Sequence, residues 1–228
     1  MTVIQGISSM ATRQLLGELA AAYEQQAGAK VAIESVGGVT AAKRVEGGEA
    51  FDAIFLAADA VDRLVAAGAV LPGSRVDLFR SGVAIGVPTG QPQPDIASEE
   101  AVKQAVLAAP TVGYSTGPSG TALLQLFERW GIRQRIERQL VQAPAGVPVA
   151  ALVGRGEIAL GFQQWSEMLN VPGVTIVGPL PEAIQITTTF SGGVCAASQQ
   201  PDAVRALLGF LASPAAADTI RRNGMTPA

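Results

Sequence analysis

Hydroxyl side chains next to glycines are the groups in this sequence best suited to chemistry. They lie in four short stretches: Gly6–Ser9, Gly37–Thr40, Ser115–Thr121 and Ala145–Pro148. Each follows strand-forming residues and precedes a helical pattern. A helix N-terminus offers N–H donors and a partial positive charge, and glycine lets a ligand approach the backbone. Any one stretch could be an ordinary turn with a Ser or Thr cap. Four together predict a site for a small anion.

Two adjacent glutamines are a further candidate contact. Gln163 and Gln164 follow the strand-forming run Ile158–Phe162 and precede Trp165. Carboxamides donate hydrogen bonds to carboxylates and oxyanions, so this pair is suited to an anionic ligand. The alternative is a helix cap next to a buried tryptophan.

The absence of histidine excludes several catalytic classes. The chain has 228 residues, with no His and a single Cys. A Ser-His-Asp triad, a Cys–His dyad, a His-bearing zinc site and an intramolecular disulfide therefore cannot be built from it. Gly117–Thr121 lacks the lysine of a P-loop. We expect no cofactor and no metal, and these patterns single out no catalytic residue.

Charge and composition narrow the class of protein further. The 16 basic and 19 acidic residues give a net charge of −3, whereas a nucleic-acid-binding protein usually has a basic surplus. We therefore expect no nucleic-acid partner. Apolar residues make up 48% and charged residues 15%, which excludes intrinsic disorder. The apolar runs, such as Ala53–Ala58, are far shorter than the roughly 20 residues of a membrane-spanning helix.

The N-terminal residues show no export signal. Met1–Thr2 leads directly into Val3–Ile4, without a basic segment or a cleavage site. We expect either a cytosolic protein or a mature form to which a start methionine was added.

Strand and helix patterns alternate along the chain, which predicts an α/β fold with a parallel sheet flanked by helices. We expect lobe 1 to hold residues 1–82 and 191–228, and lobe 2, residues 83–190, to be inserted between two crossover strands. The predicted strands are Thr2–Gly6, Val31–Val36, Asp52–Leu56, Arg80–Val87, Thr111–Tyr114, Ile158–Phe162, Val174–Val177 and Ile186–Ala196. The predicted helices are Met10–Gln26, Thr40–Glu46, a helix to Ala67 with Asp59 as its N-cap, Glu99–Ala108, Thr121–Trp130, Val149–Gly154, Pro201–Leu211 and Ala215–Arg222.

The ordered set of motifs resembles the periplasmic solute-binding proteins of ABC transporters, in particular the molybdate-binding (ModA-like) group. The resemblance covers essentially the whole chain. It is carried by Val3–Ser9, Ala41–Gly48, Phe51–Asp59, Leu152–Gly161 and Phe210–Ala216.

This resemblance implies a type II periplasmic-binding-protein fold, in which two lobes, each a mixed sheet flanked by helices, are joined by two crossover strands and close on a ligand. The family's first-loop serine corresponds to Ser8, its second-loop serine to Gly38 or Val39, and its site tyrosine to Gln163 or Gln164. Compared with the family, this sequence lacks the hydroxyls of the second-loop serine and the site tyrosine. This difference favours a roomier site for an organic carboxylate in the inter-lobe cleft. The ligand contacts expected there are Ser8, Ser9, Gly37, Gly38, Val39, Thr40, Ser119, Gly120, Thr121, Gly146, Val147, Gln163 and Gln164.

Three functions remain open at this point. The resemblance favours a periplasmic, monomeric receptor that binds a small anion and delivers it to an ABC permease, its only link to the membrane. A diverged branch resembles aconitate isomerase, which implies a cofactor-free isomerase of tricarboxylic acids whose base is Glu34, Glu167 or Tyr114. A cytosolic anion sensor is the third reading.

Overall fold

Strands and helices alternate through the computed structural model, which describes residues 3–144 and 146–228. Met1, Thr2 and Ala145, on which predictions above fall, lie outside the described residues. The strands are β1 (Val3–Ser9), β2 (Lys30–Val36), β3 (Ala53–Ala57), β4 (Val76–Pro88), β5 (Val112–Tyr114), β6 (Leu140–Gln142), β7 (Leu160–Gln164), β8 (Val174–Pro179), β9 (Thr187–Val194) and β10 (Thr226–Pro227). The helices are α1 (Arg13–Ala27), α2 (Gly38–Glu46), α3 (Ala58–Ala66), α4 (Glu99–Ala108), α5 (Pro118–Arg129), α6 (Val149–Gly154), α7 (Trp165–Met168), α8 (Pro201–Leu211) and α9 (Ala217–Arg222).

The chain forms two compact units. Unit 1 holds the residues up to Ser81 together with Thr188–Ala228, and unit 2 holds Gly82–Thr187. The strand order in unit 1 is β2-β1-β3-β9-β4, with β10 on β4. Strands β2, β1 and β3 are parallel, while β9 runs antiparallel to β3. In unit 1, therefore, the carboxyl ends of three neighbouring strands lie at one edge of the sheet.

Helices of unit 1 pack on this sheet through apolar stripes. Leu15, Leu16 and Leu19 on α1 are buried against residues of the sheet and of α8. Their spacing of one, three and four residues places them on one face of the helix. Gly28 adopts a left-handed conformation (φ 66°) and ends α1, as a glycine at this position does.

A buried carboxylate ties separate segments of unit 1 together. Asp52 accepts hydrogen bonds from Gln5 N (2.9 Å), Ser198 Oγ (2.7 Å) and Gln200 Nε2 (2.8 Å). The side chain therefore links β1 to the segment that leads into α8. Because its acceptor sites are occupied within the unit, Asp52 is a structural residue.

Unit 2 has its own sheet and core. Its strands lie in the order β4-β7-β5-β6, with β8 also paired to β4. Strand β5 is parallel to both β6 and β7, and β7 is antiparallel to β4. Phe127 and Phe162 meet edge to face in the core, with ring centroids 6.1 Å apart. The carboxyl ends of β7, β5 and β6 thus share one edge of this sheet.

The structure corrects several predicted boundaries. Strand β1 extends through Ser9, because pairing with β2 continues to the end of both strands. Asp59 is not an N-cap: it is the second residue of α3 and forms an ion pair with Arg63. Helix α5 begins at Pro118, which suits the first helical position, instead of at Thr121.

Two further differences concern short segments. Strand β7 ends at Gln164 and not at Phe162, so both predicted glutamines belong to the strand. Strand β6 was not predicted because three residues carry too little pattern to recognise.

Among residues 3–144 and 146–228, no single helix is long and apolar enough to cross a membrane; only the pair Pro201–Leu211 and Pro214–Arg222, bent by 59°, passes on length and composition.

Candidate functional site

Two serines meet at the carboxyl ends of β1 and β2. Ser8 and Ser35 are register partners in the parallel pairing, and their hydroxyl oxygens lie 2.8 Å apart. Ser8 is fully buried, and its hydroxyl also donates to the carbonyl oxygen of Ser9 at 3.3 Å. The sequence predicted Ser8 as a ligand contact but missed Ser35. The signal that could have found it is the expected parallel pairing, which places equivalent strand ends side by side.

Ser9 has a buried hydroxyl without a protein partner. Among the described residues, its Oγ makes no hydrogen bond although Ser9 is only 9% exposed. Buried hydroxyls normally have a partner, so this one is available to a ligand. A Cβ built on Gly38 would lie 3.7 Å from Ser9 Cβ, which places the start of α2 next to Ser9.

Helix α2 presents its N-terminus at the same edge. Its N-cap, Gly37, offers no side-chain hydrogen bond, so first-turn N–H groups of the helix are left for water or a ligand. Thr40 lies in this turn and is exposed. Ser8, Ser9, the Gly37–Gly38 pair and Thr40 are therefore brought together in unit 1, as a set of neutral donors.

A groove lies beside Ser35, the hydrogen-bond partner of Ser8. It has a volume of about 530 Å³ and lies between α1 and β2, with Arg13 and Ser35 among its lining residues. Arg13 is exposed, and no ion pair involves it in the part of the chain that the structure describes. The sequence left open whether Arg13 is solvated or reaches a pocket; the structure places it on the groove that contains Ser35.

Other charged residues near this edge form ion pairs with one another. Arg44 contacts both Glu34 (2.6 Å) and Glu49, and its guanidinium lies 5.0 Å from the ring centroid of Phe51. Hydrogen bonding to Arg44 lowers the pKa values of Glu34 and Glu49. Glu34 is therefore a poor proton acceptor, and its predicted role as a base is not supported. Tyr114, another predicted base, is buried in the core of unit 2.

In unit 2, the junction between β5 and α5 carries a second hydroxyl pair. The Oγ atoms of Ser115 and Ser119 lie 3.3 Å apart, and Ser119 is buried in the first turn of α5. Gly120 and Thr121, by contrast, donate their N–H groups to Gly117 O at 3.0 and 3.2 Å. The contacts of Ser119, Gly120 and Thr121 with a ligand stay predictions.

Gly120 is required by packing. A Cβ at this position would lie 1.9 Å from the carbonyl oxygen of Ser115, a backbone atom that cannot rotate away. The structure thus gives a packing reason for this glycine, and its predicted contact with a ligand stays a prediction.

The predicted junction before α6 offers fewer donors than expected. Ala145 lies outside the described residues, and Val147 N donates to Pro144 O at 3.0 Å. Gly146 has a φ of 81°, a conformation that favours glycine. Val147 and Val39 are the most exposed large apolar residues that the described part of the chain contains, at 36% and 58%.

The glutamine pair lies inside β7. Gln163 and Gln164 are 2% and 4% exposed. Gln163 Oε1 accepts the N–H of Ala150 in the first turn of α6 at 2.8 Å, so this amide caps a neighbouring helix. Its side chain also hydrogen-bonds to Glu167 on α7. Gln163 therefore makes hydrogen bonds within the protein, and its contact with a ligand stays a prediction.

Glu167 is a carboxyl group in unusual surroundings. Burial raises its pKa to about 7, and the hydrogen bond with Gln163 opposes that shift. Among the described residues no basic side chain forms an ion pair with it. Residues 3–144 and 146–228 also contain no cluster of three or more His, Cys, Asp or Glu that could hold a metal ion.

Comparison with known proteins places these features in a family. A family model described as a bacterial extracellular solute-binding protein matches residues 4–226. A curated relative from Pseudomonas sp., aconitate isomerase, is 40% identical over 232 residues, which is 99% of this chain and 88% of that protein.

Solved structures are similar in fold at low sequence identity. The periplasmic molybdate-binding protein of Azotobacter vinelandii has a TM-score of 0.82 at 17% identity, covering 98% of each chain. The tungstate ABC transporter protein of Geobacter sulfurreducens has a TM-score of 0.78 at 18% identity, covering 96% of this chain and 98% of that one. The predicted family and fold class are confirmed: the chain belongs to the bacterial extracellular solute-binding proteins and has the type II periplasmic-binding-protein fold.

Proposed function

We propose that this protein binds a small organic anion with several carboxylates, and that the contacts are the neutral donors at the strand–helix junctions of its units. One observation carries the proposal. In unit 1 the Ser8–Ser35 hydroxyl pair, the unpartnered Ser9 hydroxyl and the uncapped start of α2 lie together. Hydroxyl and backbone N–H donors of this kind hold anions without a cationic side chain.

An organic ligand accounts for this set of residues better than a tetrahedral oxyanion does. Glycines occupy the turn where the resemblance predicts a serine, so fewer hydroxyls surround the ligand. The exposed Val39 and Val147 belong to predicted contact turns, and apolar side chains suit a carbon skeleton. Arg13 lines the same groove as Ser35, and its positive charge would suit a second carboxylate of the ligand. The 40% identical relative is named for a tricarboxylic acid.

Membership of the solute-binding family supports a role in uptake. The similar structures include a periplasmic molybdate-binding protein and a tungstate ABC transporter protein. We therefore propose a periplasmic receptor that acts as a monomer and delivers its ligand to an ABC permease.

Thermal unfolding with a panel of ligands tests the proposal. The protein is heated alone and with millimolar trans-aconitate, cis-aconitate, citrate, molybdate, tungstate or sulfate. A ligand at 1,000 times its dissociation constant stabilises the folded protein by about 4 kcal/mol, so a true ligand raises the unfolding temperature by several degrees.

We expect the tricarboxylates to give the largest shifts. Larger shifts in unfolding temperature with molybdate or tungstate would indicate that the ligand is an inorganic oxyanion and not an organic anion. No shift with any anion would contradict the proposed function altogether. Sodium chloride at matched ionic strength is the control for general salt effects.

A second candidate function, isomerisation of a tricarboxylate, is favoured by Glu167. The group has a pKa near neutrality, which suits it both to accept and to donate a proton. The chain contains no histidine that could do so instead. Moving a double bond within an unsaturated tricarboxylate needs only proton transfer at carbon, so no cofactor is required.

A further inference from the structure

Glu167 is a partly buried carboxyl group, and no ion pair within the described part of the chain involves it. Its helix, α7, packs against β7 and β8. Across the described residues of α6, β7 and β8, and of β4 from Gly82 onward, there is no ionisable side chain. The charged residues that follow α6, Arg155 and Glu157, form a salt bridge with each other. Glu167 therefore stands in an apolar environment, with the Gln163 amide as its hydrogen-bond partner.

Other perturbed carboxyl groups show the opposite behaviour. Arginine partners lower the pKa values of Glu34, Glu49 and Glu157. A carboxyl kept in an apolar environment without a cation costs folding free energy. Groups of this kind are concentrated at functional sites, where the protonation state serves the chemistry.

The position of Glu167 in unit 2 also points to the ligand. Strands β5 and β7 are neighbours and parallel, so their carboxyl ends lie at one edge. The first is followed by the Ser115–Ser119 hydroxyl pair at the start of the twelve-residue helix α5, and the second by α7 with Glu167. In open α/β sheets, ligands bind beyond the carboxyl ends of the strands.

Gln163 fixes the carboxyl group at this edge. Its Oε1 accepts the N–H of Ala150 at 2.8 Å, and its side chain also bonds to Glu167. Because the Gln163 carbonyl oxygen can only accept, the side-chain NH₂ group is the part of Gln163 that donates to the Glu167 carboxylate. The orientation of the Gln163 amide is thereby set, and with it the position of Glu167.

From this cluster we infer that Glu167 is the catalytic residue that moves a proton on the bound ligand, and that Gln163 is its positioning residue. The inference rests on the second candidate function, isomerisation of an unsaturated tricarboxylate. The Glu167 carboxylate takes a proton from the methylene carbon, and the electron pair of that C–H bond spreads over the adjacent C=C bond. The resulting carboxylic acid returns a proton to the far carbon, the double bond moves by one position, and Glu167 is regenerated. Nothing is oxidised or reduced.

Proton exchange with solvent tests this assignment. Full-length wild type and Glu167→Gln are incubated with trans-aconitate in D₂O, and proton NMR follows loss of the methylene and vinyl signals and formation of cis-aconitate. We expect the variant to be slower by about 100-fold or more, because general acid–base catalysis contributes about 10²–10⁴-fold. Its dissociation constant for trans-aconitate should stay within about threefold of the wild-type value, since the carboxyl is not a donor to the anion.

The control is Glu34→Gln, which removes the other candidate carboxylate and should leave the exchange rate unchanged. An exchange rate in Glu167→Gln close to that of wild type would overturn the inference. Binding of trans-aconitate by wild type without any exchange or isomerisation would also overturn it, and would leave a receptor function intact. Failure of wild type to bind any tricarboxylate would instead remove the proposed function itself.

The positioning role of Gln163 has its own measurement. In Gln163→Met the hydrogen bond that lowers the pKa of Glu167 is lost. We expect the acid limb of the pH–rate profile to move to higher pH in this variant. A residue with a merely structural role would change stability or rate without moving that limb, and an unmoved limb would overturn the assignment of Gln163.

Discussion

Gly120→Ala is expected to destabilise unit 2 severely. The added methyl group would lie 1.9 Å from Ser115 O and 2.9 Å from its carbonyl carbon, both backbone atoms. The turn between β5 and α5 must therefore move, and with it the Ser115–Ser119 hydroxyl pair. We expect a loss at or above the upper end of the roughly 1–3 kcal/mol that overpacking costs. The midpoint of urea unfolding measures it.

Gly209→Ala is the matched control for this substitution. Gly209 lies inside α8, and a Cβ there would meet nothing within 4 Å. Alanine is the better helix former, so this variant should gain about 0.5–1 kcal/mol. If Gly120→Ala kept wild-type stability and lost only ligand binding, the glycine would serve ligand approach, as the sequence first indicated, and the packing explanation would be wrong.

Glu167→Gln is expected to make the protein more stable at pH 8 while changing little near pH 4. In the folded protein the pKa of Glu167 is about 7, against 4.5 in the unfolded chain. The folded state therefore holds the proton more tightly, and stability contributed by this group falls as pH rises from about 4.5 to 7. A shift of this size corresponds to up to about 3 kcal/mol, which the neutral amide would avoid.

Urea unfolding of wild type and variant at several pH values measures this difference. The advantage of Glu167→Gln should grow between pH 5 and pH 7 and then level off. For Glu34→Gln the difference from wild type should stay constant over that range, because Arg44 lowers the pKa of Glu34 and the group is ionised throughout. An advantage of Glu167→Gln that did not depend on pH would show that the carboxyl is not held in an apolar environment.

Local sequence signals predicted much of the fold. The bounds of α4, α6 and α8 match the predicted Glu99–Ala108, Val149–Gly154 and Pro201–Leu211. For α4 the reason is visible, since Ser98 Oγ accepts the N–H of Ala101 at 3.1 Å and fixes the first turn. Caps and prolines act within a few residues, so a single sequence is enough to recognise them.

Features of the candidate site that depend on distant partners could not be predicted in this way. Ser8 meets Ser35 across 27 residues of sequence, and only the strand register brings them together. Gln163 bonds to Ala150 on a neighbouring helix and to Glu167, and its own segment gave no sign of the first of these partners. The apolar environment of Glu167 is likewise a property of the elements packed around α7 and not of its own segment.

Calorimetric titration of wild type and Ser8→Ala with trans-aconitate tests the central claim most directly, namely that neutral donors of unit 1 hold a carboxylate anion. The account predicts one-site binding by wild type and about tenfold weaker binding by Ser8→Ala, the effect of losing one hydrogen bond to a charged ligand. Ser213→Ala, whose hydroxyl donates to Phe210 O away from the site, should bind as wild type does. Absence of heat with wild type, or equal affinity in Ser8→Ala, would contradict the account.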